Sequence, residues 1–75
     1  MRTDLDQLLI LKTNIRSHEE KAIIARVFDC NDMIDFWTID QGDIDCVLRV
    51  QSPSLQYCDI IQLISSLGFT AEELE

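Results

Sequence analysis

The spacing of apolar and polar residues divides the chain into predicted strands and helices. A compact apolar run at residues 8–11 is typical of a strand that is covered or paired on both faces. A helix is predicted to begin at Ser17, because Ser17 and Glu20 have the spacing of a capping box and an apolar stripe continues from there until near Cys30. The segments "MIDFWTID" and "IDCVLRV" predict two strands, joined as a hairpin by the turn "QGD".

The last third of the chain predicts a second helix. Ser52-Pro53-Ser54 is expected to open it, since proline suits the first helical position after a serine cap. Gly68 is expected to follow the helix in the left-handed conformation. Residues 69–75 are short and acidic, and the pattern leaves open whether they form a fourth, edge strand or fray.

The order β-α-β-β-α-(β) predicts a single α+β domain over residues 1–75. Its expected arrangement is the ferredoxin-like split βαβ fold, with two helices on one face of an antiparallel sheet. If Leu8 and Ile10 face the helices, alternation along the strands leaves a partly apolar open face formed by Leu9, Leu11, Phe36 and Val47. We expect this face to contact a protein partner or a second copy of the chain, against the alternative that it is ordinary surface.

Composition narrows the classes of function. The chain has 75 residues, 47% of them hydrophobic, and a formal net charge of -8, so a modest globular core is expected and nucleic acid or anionic membranes are poor partners. No catalytic triad spacing or glycine-rich phosphate loop is present, so no enzyme activity is expected. The first residues resemble neither a signal peptide nor a membrane span, and cytoplasmic residence is the expectation.

The three cysteines form an odd set without CxxC spacing, as expected for reduced thiols. Cys46 is expected to pack in the core beside Ile44. In the predicted topology Cys30 and Cys58 lie at the same end of the sheet, so a site with two thiols there is an open alternative to ordinary packing.

Two segments resemble the heavy-metal-associated domain family of copper and zinc chaperones. Ile34, Trp37, Ile39 and Asp40 keep the spacing of its second strand, and "IIQLISSLGF" keeps its last helix with the Gly-Phe end. The resemblance covers nearly all of the chain and implies the ferredoxin-like fold, with Trp37 on the side of the sheet that faces the helices. The family's metal ligands belong to a Met-Thr-Cys-x-x-Cys loop between the first strand and the first helix.

This chain departs from the family at that loop. Aligning Thr13 with the motif's threonine puts Lys12 at its methionine, and the two cysteine positions are taken by Asn14 and Ser17. Monovalent copper prefers thiolates, and neither an amide nor a hydroxyl replaces them. The comparison implies a degenerate metal loop and no metal cofactor. An anion held by Lys12 and Arg16 is an alternative, but capping by Asn14 and Ser17 is the favoured interpretation.

Two functional hypotheses follow. The first is a non-catalytic protein-interaction or regulatory module that uses the open face. The alternative is a copper or zinc carrier with displaced ligands such as Cys30 and Cys58.

Overall fold

The computed structural model describes residues 7–74, which form a four-stranded antiparallel sheet covered by two helices. The strand order is β2-β3-β1-β4. Apolar residues of both helices share one core with the same face of the sheet, so the predicted α+β, ferredoxin-like arrangement is confirmed. The elements are β1 (Gln7–Thr13), α1 (His18–Phe28), β2 (Phe36–Asp40), β3 (Val47–Ser52), α2 (Tyr57–Ser66) and β4 (Ala71–Glu73).

The predicted facing of β1 is wrong. Leu9 and Leu11 are 2% and 0% exposed and lie in the core, whereas Leu8 is 54% exposed. The residues paired with Leu9 and Leu11 on β3 are Val50 and Leu48, which belong to the same core. Every residue from 8 to 11 is apolar, so alternation within the run could not tell one face from the other.

The hairpin exists, but its strands are shorter and its loop longer than predicted. Residues 41–46 form the connection, with the Asp43 carboxylate accepting the Asp45 backbone N–H at 2.8 Å. Cys46 is buried as expected, but it lies in the loop with a φ of 46°. Ile44 was predicted to pack beside it and is instead 84% exposed. The turn formed by local aspartate hydrogen bonds displaces Ile44 from the strand.

The start of α1 is confirmed and the start of α2 is not. Ser17 caps α1 in a complete capping box with Glu20, whereas α2 begins at Tyr57 after a Gln56 cap. Ser52 belongs to β3, and its buried hydroxyl accepts the backbone N–H of Leu55 at 2.9 Å. That hydrogen bond folds the intervening residues into a bend, so the helix starts later than the Ser-Pro-Ser signal predicts.

Gly68 and the last strand complete the sheet. Gly68 has a φ of 93°, as predicted, and the Phe69 N–H donates to the Ile64 carbonyl at 3.2 Å in a Schellman arrangement. The chain then reverses, and Ala71–Glu73 pairs with β1 as an edge strand. The sequence left open whether this segment forms an edge strand or frays, and the structure shows the strand. No helix within residues 7–74 is long and apolar enough to cross a membrane.

Trp37 lies on the core side of β2, as predicted. Its ring meets Phe28 edge to face, with centroids 5.6 Å apart. The indole N–H donates to the Asp29 carboxylate at 2.8 Å. The aromatic pair therefore joins β2 to the end of α1.

Candidate functional site

The corner, defined as residues 12–17 between β1 and α1, is the segment for which the resemblance predicts a degenerate metal loop. Thr13 is nearly buried at the end of β1. Its hydroxyl donates to the Cys46 carbonyl at 2.8 Å and accepts the Ile15 N–H at 3.2 Å. Both hydrogen bonds are internal, so Thr13 fixes the corner against the hairpin loop.

Asn14 joins the corner to the beginning of β4. Its side-chain carbonyl accepts the Thr70 N–H at 2.9 Å, and its backbone N–H donates to the Thr70 carbonyl at 3.3 Å. Both hydrogen bonds of Asn14 go to Thr70, so Asn14 joins two segments that are distant in sequence, whereas Ser17 is the residue that caps α1.

Ser17 caps α1 and belongs to the capping box. One carboxylate oxygen of Glu20 accepts the backbone N–H groups of Arg16 and Ser17 at 2.8 and 3.1 Å. These backbone hydrogen bonds, from Arg16 first and then from Ser17, hold the pKa of Glu20 below its ordinary value of 4.5. The chain's own carboxylate therefore occupies the position at these N–H groups that an external anion would take.

Gln41 contacts the corner from the hairpin loop, and the sequence pattern does not predict this contact. Its side-chain amide donates to the Ser17 carbonyl at 2.8 Å, which links the hairpin loop to the start of α1. The contact spans 24 residues of sequence, and no motif around Gln41 signals it. Only the folded chain brings the two segments together.

Lys12 lies at the rim of a small surface cavity. The residue is exposed and pairs across the sheet with Glu72. The cavity has a volume of about 190 Å³, and its charged lining residues are Lys12, Arg16, Asp45 and Glu72. It is smaller than the roughly 300–1,000 Å³ of ordinary ligand pockets, and its charges are of both signs.

A larger groove runs along α2. It has a volume of about 670 Å³ and lies between Asn31 and the side of α2 that carries Leu63 and Ser66. Asp59 is the ionisable residue of its lining, and its carboxylate already accepts the Gln56 N–H at 2.9 Å. The groove therefore brings together no pair of groups suited to acid–base chemistry.

Cys30 and Cys58 are both exposed free thiols. Cys30 follows the end of α1, and Cys58 lies in the first turn of α2. Among residues 7–74 no group of three or more histidine, cysteine or carboxylate residues could hold a metal ion. A site with displaced ligands therefore remains a prediction limited to the two thiols themselves.

The open face is the side of the sheet that points away from the helices. Side chains on this face form rows that run across β1, β3 and β2. In the first row Leu8 and Phe36 flank Gln51. In the next row Ile10 and Thr38 flank Arg49. Leu8 and Phe36 are 54% and 56% exposed. Since β3 separates them, their backbones lie about 9–10 Å apart.

The charged end of the open face lies beyond these two rows. Lys12 is paired with Glu72, and Asp40 is paired with Val47. Val47 is on the predicted face but is only 5% exposed, so its side chain offers little contact area. Of the four residues predicted for the interface, Phe36 alone is exposed there, and Leu8 takes the role expected of Leu9.

Comparison of the chain with protein-family models, curated proteins and solved structures found no match. The class defined by the fold is therefore a small α+β, ferredoxin-like domain. The resemblance to the heavy-metal-associated family stays a prediction.

Proposed function

We propose that this chain is a non-catalytic protein-interaction or regulatory module, related to heavy-metal-associated domains but without their metal loop. The observation that carries the proposal is a contrast between two surfaces. The uncharged polar side chains of the corner bind the chain's own backbone, whereas the open face presents Leu8 and Phe36 to solvent. Exposed apolar groups on a sheet face are suited to contact with another protein.

The chemistry of the corner supports the loss of metal binding. Thr13, Asn14 and Ser17 have neutral oxygen groups that already make hydrogen bonds, and none supplies a thiolate. Lys12 adds a positive charge to the same surface. A cation in this position would displace existing hydrogen bonds and meet an ammonium group.

The open face and the net charge together define the partner's chemistry. Leu8 and Phe36 favour apolar side chains in the partner, and the formal net charge of -8 favours a basic surrounding surface. The proposed partner is therefore a protein segment in which apolar residues alternate with or are flanked by lysine or arginine.

Selection from a random displayed peptide library tests this proposal. We expect the protein to enrich peptides with apolar and basic residues, and we expect Leu8→Glu combined with Phe36→Glu to weaken their binding at least tenfold, about 1.4 kcal/mol. The measurement is the dissociation constant of an enriched, synthesised peptide. Circular dichroism of the variant should be unchanged because both side chains are exposed.

Ile23→Glu combined with Met33→Glu is the matched control. Both residues are exposed apolar residues, one on α1 and one in the following loop. The control should bind the peptide as well as the unmodified protein does. The proposed surface is contradicted if both double variants weaken peptide binding equally. It is also contradicted if the enriched peptides bind equally well without Leu8 and Phe36.

Anaerobic titration of the reduced protein with monovalent copper and with zinc tests the loss of metal binding. The proposal predicts no stoichiometric binding at micromolar metal and no movement of the backbone amides of residues 12–17. Binding that moves the amides near Cys30 and Cys58, and that disappears in Cys30→Ser combined with Cys58→Ser, would instead support the carrier function with displaced ligands.

A further inference from the structure

The outer edge of β2 presents backbone groups that have no strand partner. The sheet order places β2 at one border, and its inner side pairs with β3 from Phe36 to Asp40. Within residues 7–74 no strand pairs with the other side. Such an edge offers alternating N–H and C=O groups that an added strand can match.

Acidic side chains flank this edge. Asp35 immediately precedes β2, Asp40 ends it, and both are exposed. A third carboxylate, that of Asp29, is held beside the strand by its hydrogen bond from the Trp37 indole at 2.8 Å. β2 itself contains neither lysine nor proline, the residues that commonly protect edges against pairing.

We infer that the β2 edge binds an extended, basic-flanked segment of a partner protein as an additional antiparallel strand. The inference rests on the proposed function and names the kind of partner and the manner of its binding. Lysine or arginine near both ends of the segment would lie opposite Asp35 and Asp40. The partner residue opposite Phe36 would share its face and continue the apolar row of the open face.

A second copy of the chain fits this edge poorly. If Trp37 paired with Thr38 of another copy, Asp35 would lie opposite Asp40 at both ends, and like charges opposite each other are destabilising. A register centred on Thr38 would place Asp40 against Phe36. Each copy also carries a formal net charge of -8, which opposes self-association.

The first probe is the capped peptide KTVTVK, whose length places its lysines opposite Asp35 and Asp40. We expect a dissociation constant in the range of about 0.1–1 mM at low salt, with amide shifts concentrated in residues 35–41. The peptide ETVTVE should not bind. Two N-methylated forms of KTVTVK, each blocked along one backbone edge, should differ, since only the form blocked on the pairing edge loses its hydrogen bonds.

Variants of the protein separate pairing at the edge from general attraction to acid. Asp35→Asn combined with Asp40→Asn should weaken binding about tenfold. Asp59→Asn combined with Glu73→Gln removes the same amount of charge from α2 and from the opposite edge strand, and it should have little effect. Leu8→Glu leaves the β2 edge intact and should retain the peptide.

Several results would overturn the inference. These are equal weakening in the two double variants, equal loss with both N-methylated forms, amide shifts centred on Leu8 and Ile10, or no shifts at about 1 mM peptide. Sedimentation that shows a dimer formed through β2 would replace the basic partner by a second copy. If KTVTVK does not bind the β2 edge, the library selection still tests the proposed function. The peptides selected there are expected to depend on Leu8 as well as on Phe36.

Discussion

Gly68 ends α2 in a backbone conformation that favours glycine, with a φ of 93°. A Cβ atom at this position would meet nothing within 4 Å, so the cost of Gly68→Ala comes from the backbone alone. We expect a loss of about 1–2 kcal/mol in the free energy of unfolding. Urea unfolding followed by Trp37 fluorescence measures it.

Gly42→Ala is the matched control for Gly68→Ala. Gly42 has no positive φ, and an added Cβ would lie at an ordinary 3.4 Å from the Asp40 carboxylate. Its effect should stay within about 0.5 kcal/mol. An equal loss in both variants would show that the left-handed conformation is not the cause.

The residues of the corner differ in how well the sequence predicts their contacts. The partner of Ser17 is three residues away, and the pair has a recognisable spacing. The carbonyl that accepts the Thr13 hydroxyl and the backbone N–H that the Asn14 side chain accepts are 33 and 56 residues away. A hydroxyl or amide can bond to any nearby backbone group, so only the fold decides which one it meets.

At the scale of elements, the capping box makes the stability of α1 depend on pH. The Glu20 carboxylate has a lowered pKa because it accepts the Arg16 and Ser17 N–H groups. Its ionised form therefore contributes stability above the ordinary pKa of 4.5, and this contribution is lost as the pH falls through the lower pKa of the folded protein. Glu20→Gln should melt earlier than the unmodified protein at pH 7, and the difference should shrink in acid.

Thermal unfolding followed by circular dichroism at a series of pH values measures this difference. Glu19→Gln is the control, since Glu19 lies in the same first turn but outside the capping box. Its difference from the unmodified protein should be smaller and change less with pH. A constant deficit of Glu20→Gln down to acid pH would mean that charge is not involved.

The second helix illustrates where local signals compete. Taken alone, Ser52-Pro53-Ser54 has the pattern of a helix N-terminus. In the structure, however, the Ser52 hydroxyl is buried between β3 and the loop before β2, and it donates to the Met33 carbonyl. That contact is made across 19 residues of sequence. The tertiary contact fixes Ser52 in the strand and moves the start of the helix to Tyr57.

At the scale of the whole molecule, the packing of the sheet against the helices separates Leu9 from Leu8. Leu9 lies in the core and Leu8 on the open face. We expect Leu9→Ala to cost about 2–5 kcal/mol and Leu8→Ala about 0.5 kcal/mol in the free energy of unfolding. Urea denaturation of both variants measures the difference, and similar costs would contradict the observed facing of β1.

The sequence by itself determined the order of the first five elements, the capping box of α1, the glycine at the end of α2 and the absence of thiolates from the corner. These features depend on residues close together in the chain or on their chemical identity. Tertiary structure alone decided the facing of Leu9 and Leu11, the later start of α2, the role of Gln41 and the pairing of β4. Each depends on strands or loops that are distant in sequence, because burial and pairing are properties of the assembled core.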